Sequence, residues 1–185
     1  TTTALLAHLL SGFRRAVAVG NIGRPFIGVV DEVGEDDVVC CEVSSFQLEA
    51  SPSFHPHIAA FTNITPDHLE RHRSFANYAA MKRSMVKTMA EGDSVIFNAE
   101  DENLQPDEFP PRPVAFLPFS SVGEIGPPGA YLENGEMIVD AGNGEVRIAR
   151  EVLRLPGLHN VENALAAALA AAAAEPPGAP KAQLP

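Results

Sequence analysis

Lys82 stands on a line of apolar residues. Phe75, Tyr78, Met85 and Met89 recur at the three- and four-residue steps of one helix face, and Lys82 falls among them while Arg83 and Lys87 lie elsewhere. Such a lysine has two readings. Its methylene stem covers apolar surface while the ammonium reaches water, or the amine is desolvated, which favours a neutral form able to combine with carbon dioxide. The carbamate so formed is an anion and a metal ligand. Glu42 ends the continuous apolar run Val38-Val39-Cys40-Cys41, where a carboxylate must be paired, protonated or metal-bound to offset its desolvation. A Mg²⁺ ligand is one reading, a salt bridge to a nearby Arg or Lys the other. His68, after Asp67, either begins a helix or holds an ion or its water through a neutral nitrogen. Asn160 and Asn163, three apart at a helix start, share one face. Asn160 caps that helix, or the two amides read the donor and acceptor edge of an adenine.

Strands and helices must bring these scattered residues together. Short buried strands are expected at Ala16-Val17-Ala18-Val19, Val38 to Val43, Ile58-Ala59-Ala60-Phe61 and Ser94 to Asn98. A turn at Gly20 to Gly23 follows the first, with glycines permitting close backbone approach, and a short helix is expected near Pro25 to Val30. The Lys82 helix is expected from Ser74, its N-cap, to about Met89. Strands alternating with helices predict an α/β fold with a mainly parallel sheet flanked by helices. Between Pro110 and Ile148 the pattern breaks into short β-like pieces such as Val114-Ala115-Phe116 and Glu136 to Val139, read as a small antiparallel β excursion. Pro156-Gly157 opens a last helix carrying Leu158, Val161, Leu165 and Leu169, and Pro176-Pro177-Gly178 ends it. One domain over 1–175 and a linker or tail over 176–185 is the expected division.

In a parallel sheet the ligand crevice lies beyond the carboxyl ends of the strands. Here those ends carry Gly20-Asn21, Glu42-Val43-Ser44-Ser45, Asn63 to His68, and Asn98-Ala99-Glu100-Asp101. Turns are polar in any protein, so the argument rests on four polar ends converging. With 13 Lys and Arg against 24 Asp and Glu, the net charge of -11 excludes long phosphate backbones as partners, so no nucleic acid is expected. No apolar run is long enough for a bilayer, and Thr1 to Leu10 has no basic flank, so a cytoplasmic protein without membrane contact is expected. The only cysteines, Cys40 and Cys41, are adjacent and read as small buried hydrophobes.

Five segments occur in an order that resembles the Mur ligases: Gly20-Asn21-Ile22-Gly23; Glu42-Val43-Ser44-Ser45-Phe46-Gln47-Leu48-Glu49; Asn63-Ile64-Thr65-Pro66-Asp67-His68-Leu69-Glu70-Arg71-His72; Tyr78-Ala79-Ala80-Met81-Lys82; and Gly157 to Ala164. The segment after Glu42 is similar to the D-glutamate-adding branch in particular. Sister ligases and folylpolyglutamate synthetase share the plan but differ there. The resemblance implies the central ATP-binding domain, phosphate-loop NTPase-like in fold, of an ATP-dependent amide ligase of peptidoglycan-precursor synthesis. Its partners would be ATP, UDP-N-acetylmuramoyl-L-alanine and D-glutamate, its cofactor Mg²⁺, and its state a monomer. By the same resemblance Glu42 and His68 match magnesium ligands, Lys82 the carbamylated lysine, Asn21 and Ser44 positions near the muramoyl substrate, and Asn160 and Asn163 residues near adenine. The family's phosphate loop, a Gly-rich segment ending in Gly-Lys-Ser/Thr, is expected just before Thr1. A catalytically silent nucleotide-binding module is the rival reading of another class.

Overall fold

The computed structural model describes residues 1–174, so the expected tail over 176–185 lies outside the described residues. In chain order the elements are α1 (Thr2–Leu10), β1 (Ala16–Gly20), β2 (Val38–Glu42), α2 (Ser45–Ala50), β3 (Ile58–Phe61), α3 (Leu69–His72), α4 (Phe75–Arg83), β4 (Ser94–Asn98), β5 (Ala115–Ser120), β6 (Gly129–Glu133), β7 (Glu136–Asp140), β8 (Val146–Ala149) and α5 (Leu158–Ala173). Short 3-10 turns fill several connections, one of them at Phe26–Gly28 where a short helix is expected.

The strands form two hydrogen-bonded groups. β1 and β2 pair in parallel, and β3 to β8 make a six-stranded sheet in sequence order. Within it the β3–β4, β4–β5 and β5–β6 pairings are parallel, and the β6–β7 and β7–β8 pairings are antiparallel. The antiparallel excursion is therefore shorter than the sequence pattern predicts. The piece containing Ala115 and Phe116 extends the parallel sheet, because its residues register against Ser94 to Asn98 of β4. Gly and Pro around it signal turns but carry no information about strand direction.

Alternation along β4 divides the core. Ile96 faces α5, packing with Leu117, Phe119, Val161, Leu165 and Leu169, while its neighbours Val95 and Phe97 face Tyr78, Ala79, Val86 and Met89. That period of two is the geometry of a strand buried on both faces. Ala164, Ala166, Ala167, Ala168, Ala170 and Ala171 of α5 are buried and Ala172 and Ala173 half-buried, their small side chains letting the helix lie close to the sheet and to α1. Leu10, Cys40 and Ala171 join α1, β2 and α5 in a third cluster. Ser74 caps α4, its side chain accepting the Asn77 N–H, but the α-helix ends at Arg83 and continues as a 3-10 turn over Ser84–Thr88.

No ladder joins β2 to β3. Between them lies a cleft of about 1050 Å³, lined along its length by Val38 to Glu42 on one side and Ile58 to Phe61 on the other, with Leu6, Leu10, Ala170 and Ala173 at its base. Among the described residues no helix is long and apolar enough to cross a membrane.

Candidate functional site

β2 ends at Glu42, whose backbone carbonyl accepts the Asn21 N–H at 2.8 Å, so the β1 and β2 ends are locked side by side. Gly20 opposite has φ 103°, and a side chain there would collide with the Glu42 carbonyl oxygen. This is the close approach that the Gly20 to Gly23 pattern predicts. The Glu42 side chain is half-buried. The ion pairs around it use other carboxylates: Arg15 takes Asp37, Arg24 takes Glu32, and Arg71 takes Glu49.

Past β3 the chain turns through Thr65 and Pro66 to His68, which stands at the N-cap position of α3 with φ 52°. A histidine in the left-handed region is held there at some cost in strain. The imidazole is 45% exposed, near the carboxylates of Asp67 and Glu70 at 3.5 and 3.8 Å, and its ring centroid is 5.1 Å from that of Phe46. The loop is braced from β4: the Asp101 carboxylate accepts the Ile64 N–H at 2.7 Å, and the Asn98 amide donates to the Thr62 carbonyl. Asn98, Glu100 and Asp101, grouped with the crevice by sequence, line a separate shallow depression with Thr65 and Pro66.

Lys82 lies in the last turn of α4, half-buried, with Nζ 5.5 Å from the Tyr78 ring centroid. Tyr78 also meets the buried His72, ring centroids 5.3 Å apart, and His72 Nε2 is 3.0 Å from the buried Ser45 hydroxyl. Phe46 stacks on the other side of His72 at 5.7 Å. Thus Ser45, His72 and Tyr78 form a continuous path from α2 to the lysine. His72 and Ser45 were missed as individual sites by sequence reasoning. Their only signal is a polar residue inside each of two motif segments, and nothing in the spacing pairs them.

One cavity receives most of the proposed residues. Asn21, Glu42, Ser44, His68, Lys82 and Asn163 all line the cleft, together with Asp67 and the first turn of α1, Thr1 to Thr3. Asn160 is not among its lining. Its amide folds back to the Pro156 carbonyl at 2.7 Å, and the helix N-cap is Gly157, so the capping reading of Asn160 is replaced by this local hydrogen bond. Asn163 Oδ1 accepts the Thr2 hydroxyl at 2.7 Å, tying α5 to α1. Ser44 caps α2: its hydroxyl accepts the Gln47 N–H while Gln47 Oε1 accepts the Ser44 N–H at 2.8 Å. The reciprocal pair fixes the backbone just after Glu42. Two thiols also border the cleft. Burial pushes Cys40 up to about 11 and raises Cys41 as well, so both stay protonated near neutrality.

Residues 1–171 match the Mur ligase middle domain. The chain is 40% identical over 167 residues to the UDP-N-acetylmuramoylalanine--D-glutamate ligase of Streptococcus thermophilus, covering 90% of this chain and 36% of that one. It is 42% identical over 177 residues to the enzyme of the same name from Pelotomaculum thermopropionicum, covering 94% and 38%. The chain therefore spans little more than a third of the length of these relatives. Among solved structures, UDP-N-acetylmuramoyl-L-alanyl-D-glutamate--2,6-diaminopimelate ligase aligns with a TM-score of 0.71 at 20% identity, over 92% of this chain and 40% of its own. The MurF ligase of Thermotoga maritima in complex with ADP aligns at 0.59 and 18% identity, over 90% and 40%. At these identities the structures establish the shared fold.

Proposed function

From the premise that this chain belongs to the Mur ligase middle-domain family, we propose that it is the ATP-binding part of a ligase joining D-glutamate to UDP-N-acetylmuramoyl-L-alanine. The observation that carries the reading is that Glu42, His68 and Lys82, far apart in sequence, all line the one long cleft between β2 and β3. In the whole enzyme the γ-phosphoryl group of ATP passes to the substrate carboxylate, giving an acyl phosphate. The D-glutamate amine attacks its carbonyl, a tetrahedral intermediate forms, and collapse expels phosphate and leaves an amide. Such a reaction asks the protein for positioning and charge neutralisation more than for covalent chemistry.

The Glu42 carboxylate, the His68 imidazole and Asp67 border the same cleft, and their oxygen and nitrogen donors are of the kind a dication takes, although they do not lie within 4.8 Å of one another as a group of three. Mg²⁺ bound there would offset the charge of the phosphates. Glu42 and His68 would hold it, and Lys82, after its amine nitrogen bonds to carbon dioxide and loses a proton, would offer a carbamate oxygen to a second ion. Tyr78 and His72 keep the lysine directed at the cavity. Asn21 and Ser44, near the ends of β1 and β2, would meet the muramoyl substrate and Asn163 the nucleotide; all three line the cleft. Asn160, held to Pro156, would have to release that bond to reach adenine.

The open ladder edges of β2 and β3 support a further part of the reading. An additional parallel strand in the cleft would join the two strand groups, and its carboxyl end would deliver a phosphate loop to the first turn of α1, where helix N–H groups favour an anion. Calorimetry with Mg-ATP tests the nucleotide site, and the whole enzyme is proposed to act as a monomer in the cytoplasm. The activity itself is tested in the full-length enzyme. Phosphate release should require both UDP-N-acetylmuramoyl-L-alanine and D-glutamate, and release with UDP-N-acetylmuramoyl-L-alanyl-D-glutamate and diaminopimelate instead would reassign the chain to a sister ligase.

A further inference from the structure

A second cluster of ligand-type side chains lies at the other end of β3. His55 and His57 precede the strand, whereas the loop to His68 follows it. His-Pro-His places the two imidazoles at i and i+2, on the same side of an extended chain, and the proline holds the residue before it extended. Asp93, just before β4, completes the group. Its carboxylate is 7% exposed, and both oxygens are engaged: His55 Nε2 lies 2.7 Å from Oδ2, and His57 Nδ1 lies 2.9 Å from Oδ1. The Ala90 N–H donates to Oδ2 as well, at 2.7 Å. The backbone on each side is pinned. Ser94 N–H donates to the His57 carbonyl, and Ala115 N–H to that of Asp93. One ligand atom from each of the three residues falls within 4.8 Å of the other two.

We propose that His55, His57 and Asp93 form a binding site for a transition-metal dication of the zinc class. Two imidazole nitrogens and one carboxylate oxygen are a donor set suited to zinc or cobalt, and poorly suited to Mg²⁺, which takes oxygen ligands. In the metal-free state each imidazole donates an N–H to Asp93. On binding, each neutral imidazole takes the tautomer with its proton on the other ring nitrogen, an imidazolium first releasing one proton to solvent, so that the nitrogen that faced Asp93 turns its lone pair to the ion while Asp93 keeps its negative charge; water completes the shell. Access is open, because His57 is 87% exposed and His55 42%. The carboxylate that anchors the site is already fixed by the Ala90 N–H, so little ordering is required. A net charge of -11 further favours cations near the surface. The bound ion would staple the starts of β3 and β4 together, away from the strand ends that carry Glu42 and His68.

The experiment is equilibrium dialysis of the 185-residue chain against Zn²⁺ and, separately, Co²⁺, with melting curves for every variant. The expected result is one site of low micromolar affinity, a visible Co²⁺ ligand-field band, and a melting temperature raised by Zn²⁺. His57→Ala, at an exposed position, should fold normally yet lose roughly tenfold or more in affinity, with the band and the melting shift lost too. His55→Ala should behave alike. His55 and His57 border the far end of the same long cleft, so His68→Ala, at the other end of β3, should leave zinc affinity unchanged and so separates the two groups of ligands. Unchanged zinc affinity in His57→Ala, equal competition by Mg²⁺, or no binding at 100-fold above the expected dissociation constant would overturn the proposal and leave two imidazole hydrogen bonds to a buried carboxylate.

Discussion

The Lys82 ammonium sits over the Tyr78 ring, 5.5 Å from its centroid and one helical turn along α4. The contact is a cation–π pair of modest strength, about 0.5–1 kcal/mol at a partly exposed site. Its larger effect is directional, since the ring limits the lysine to the side of α4 that borders the cleft. In the full-length ligase Lys82→Ala should lower kcat by roughly a hundredfold or more, in the range seen when charge-stabilising groups are removed. Acetate should restore part of the rate by standing in for the lost anion. A fully active Lys82→Ala enzyme would return this residue to a snorkelling role.

Behind Tyr78, His72 and Ser45 share a buried hydrogen bond. Ser45→Ala leaves His72 Nε2 without that partner, and a buried polar atom left unpaired costs about 1–3 kcal/mol. Urea denaturation should show a loss of that size with an unchanged m-value. His72→Phe in the Ser45→Ala background should recover part of it, because the packing against Phe46 and Tyr78 is preserved while the unpaired nitrogen is removed. A double variant no more stable than Ser45→Ala would assign the cost to packing.

How much of this was readable in the sequence depends on whether a feature is local. β3 and β4 fall where the apolar runs place them, and Ser74 caps its helix as expected. Strand direction was not local: Ala115 and Phe116 look like hairpin material until β4 is beside them. Glu42 and Lys82 stood out in the sequence because each breaks a pattern, a charge at the end of an apolar strand or on an apolar stripe, and His68 only by its place beside Asp67; all three line the cleft. His72 broke none. It lies in a polar segment, and its burial is created by Phe46 and Tyr78 arriving from α2 and α4. The same limit applies to Asn160, whose fold-back onto Pro156 is a rotamer choice that spacing does not specify.

The unpaired edges of β2 and β3 give a dynamic prediction. Amides on those edges have no ladder partner across the cleft and should exchange quickly in the 185-residue chain, whereas β4, flanked on both sides, should be strongly protected. In a chain extended upstream to include a phosphate loop and its preceding strand, protection should appear at Val38 to Glu42 and Ile58 to Phe61 together. Hydrogen exchange read by mass spectrometry distinguishes this from a cleft that stays open, in which neither segment gains protection.

Cys40 carries a pH dependence whose sign is fixed by burial. Its thiol is ordinarily half-ionised at 9.0, and in the fold burial pushes that point up to about 11. Below pH 9 both folded and unfolded chains hold the proton, so its contribution to stability is fully present. Between about 9 and 11 the unfolded chain releases the proton first, and stability falls as pH rises. Denaturation midpoints should decline over that window, and Cys40→Ala should flatten the part of the decline that belongs to this thiol. Alkylation by iodoacetamide at pH 8 should likewise be slow in the folded chain and fast in urea.

Asn163 separates a structural role from a binding role. Its Oδ1 accepts the Thr2 hydroxyl at 2.7 Å, across 161 residues of sequence, and it borders the cleft beside the first turn of α1. If it serves only to tie α5 to α1, Thr2→Val and Asn163→Ala remove the same hydrogen bond and should each cost about 0.5–1.5 kcal/mol. If the amide also meets the nucleotide, the two variants should part company in the full-length ligase. Asn163→Ala should raise the KM for ATP severalfold with a smaller change in kcat, the signature of lost binding shared by ground state and transition state. Thr2→Val should leave that KM near its original value while showing the same loss of stability. A double-mutant cycle on stability completes the test, since residues joined by one bond should couple by roughly 0.5 kcal/mol or more. Equal KM values for the two variants would confine Asn163 to the helix tie and leave adenine recognition to other residues.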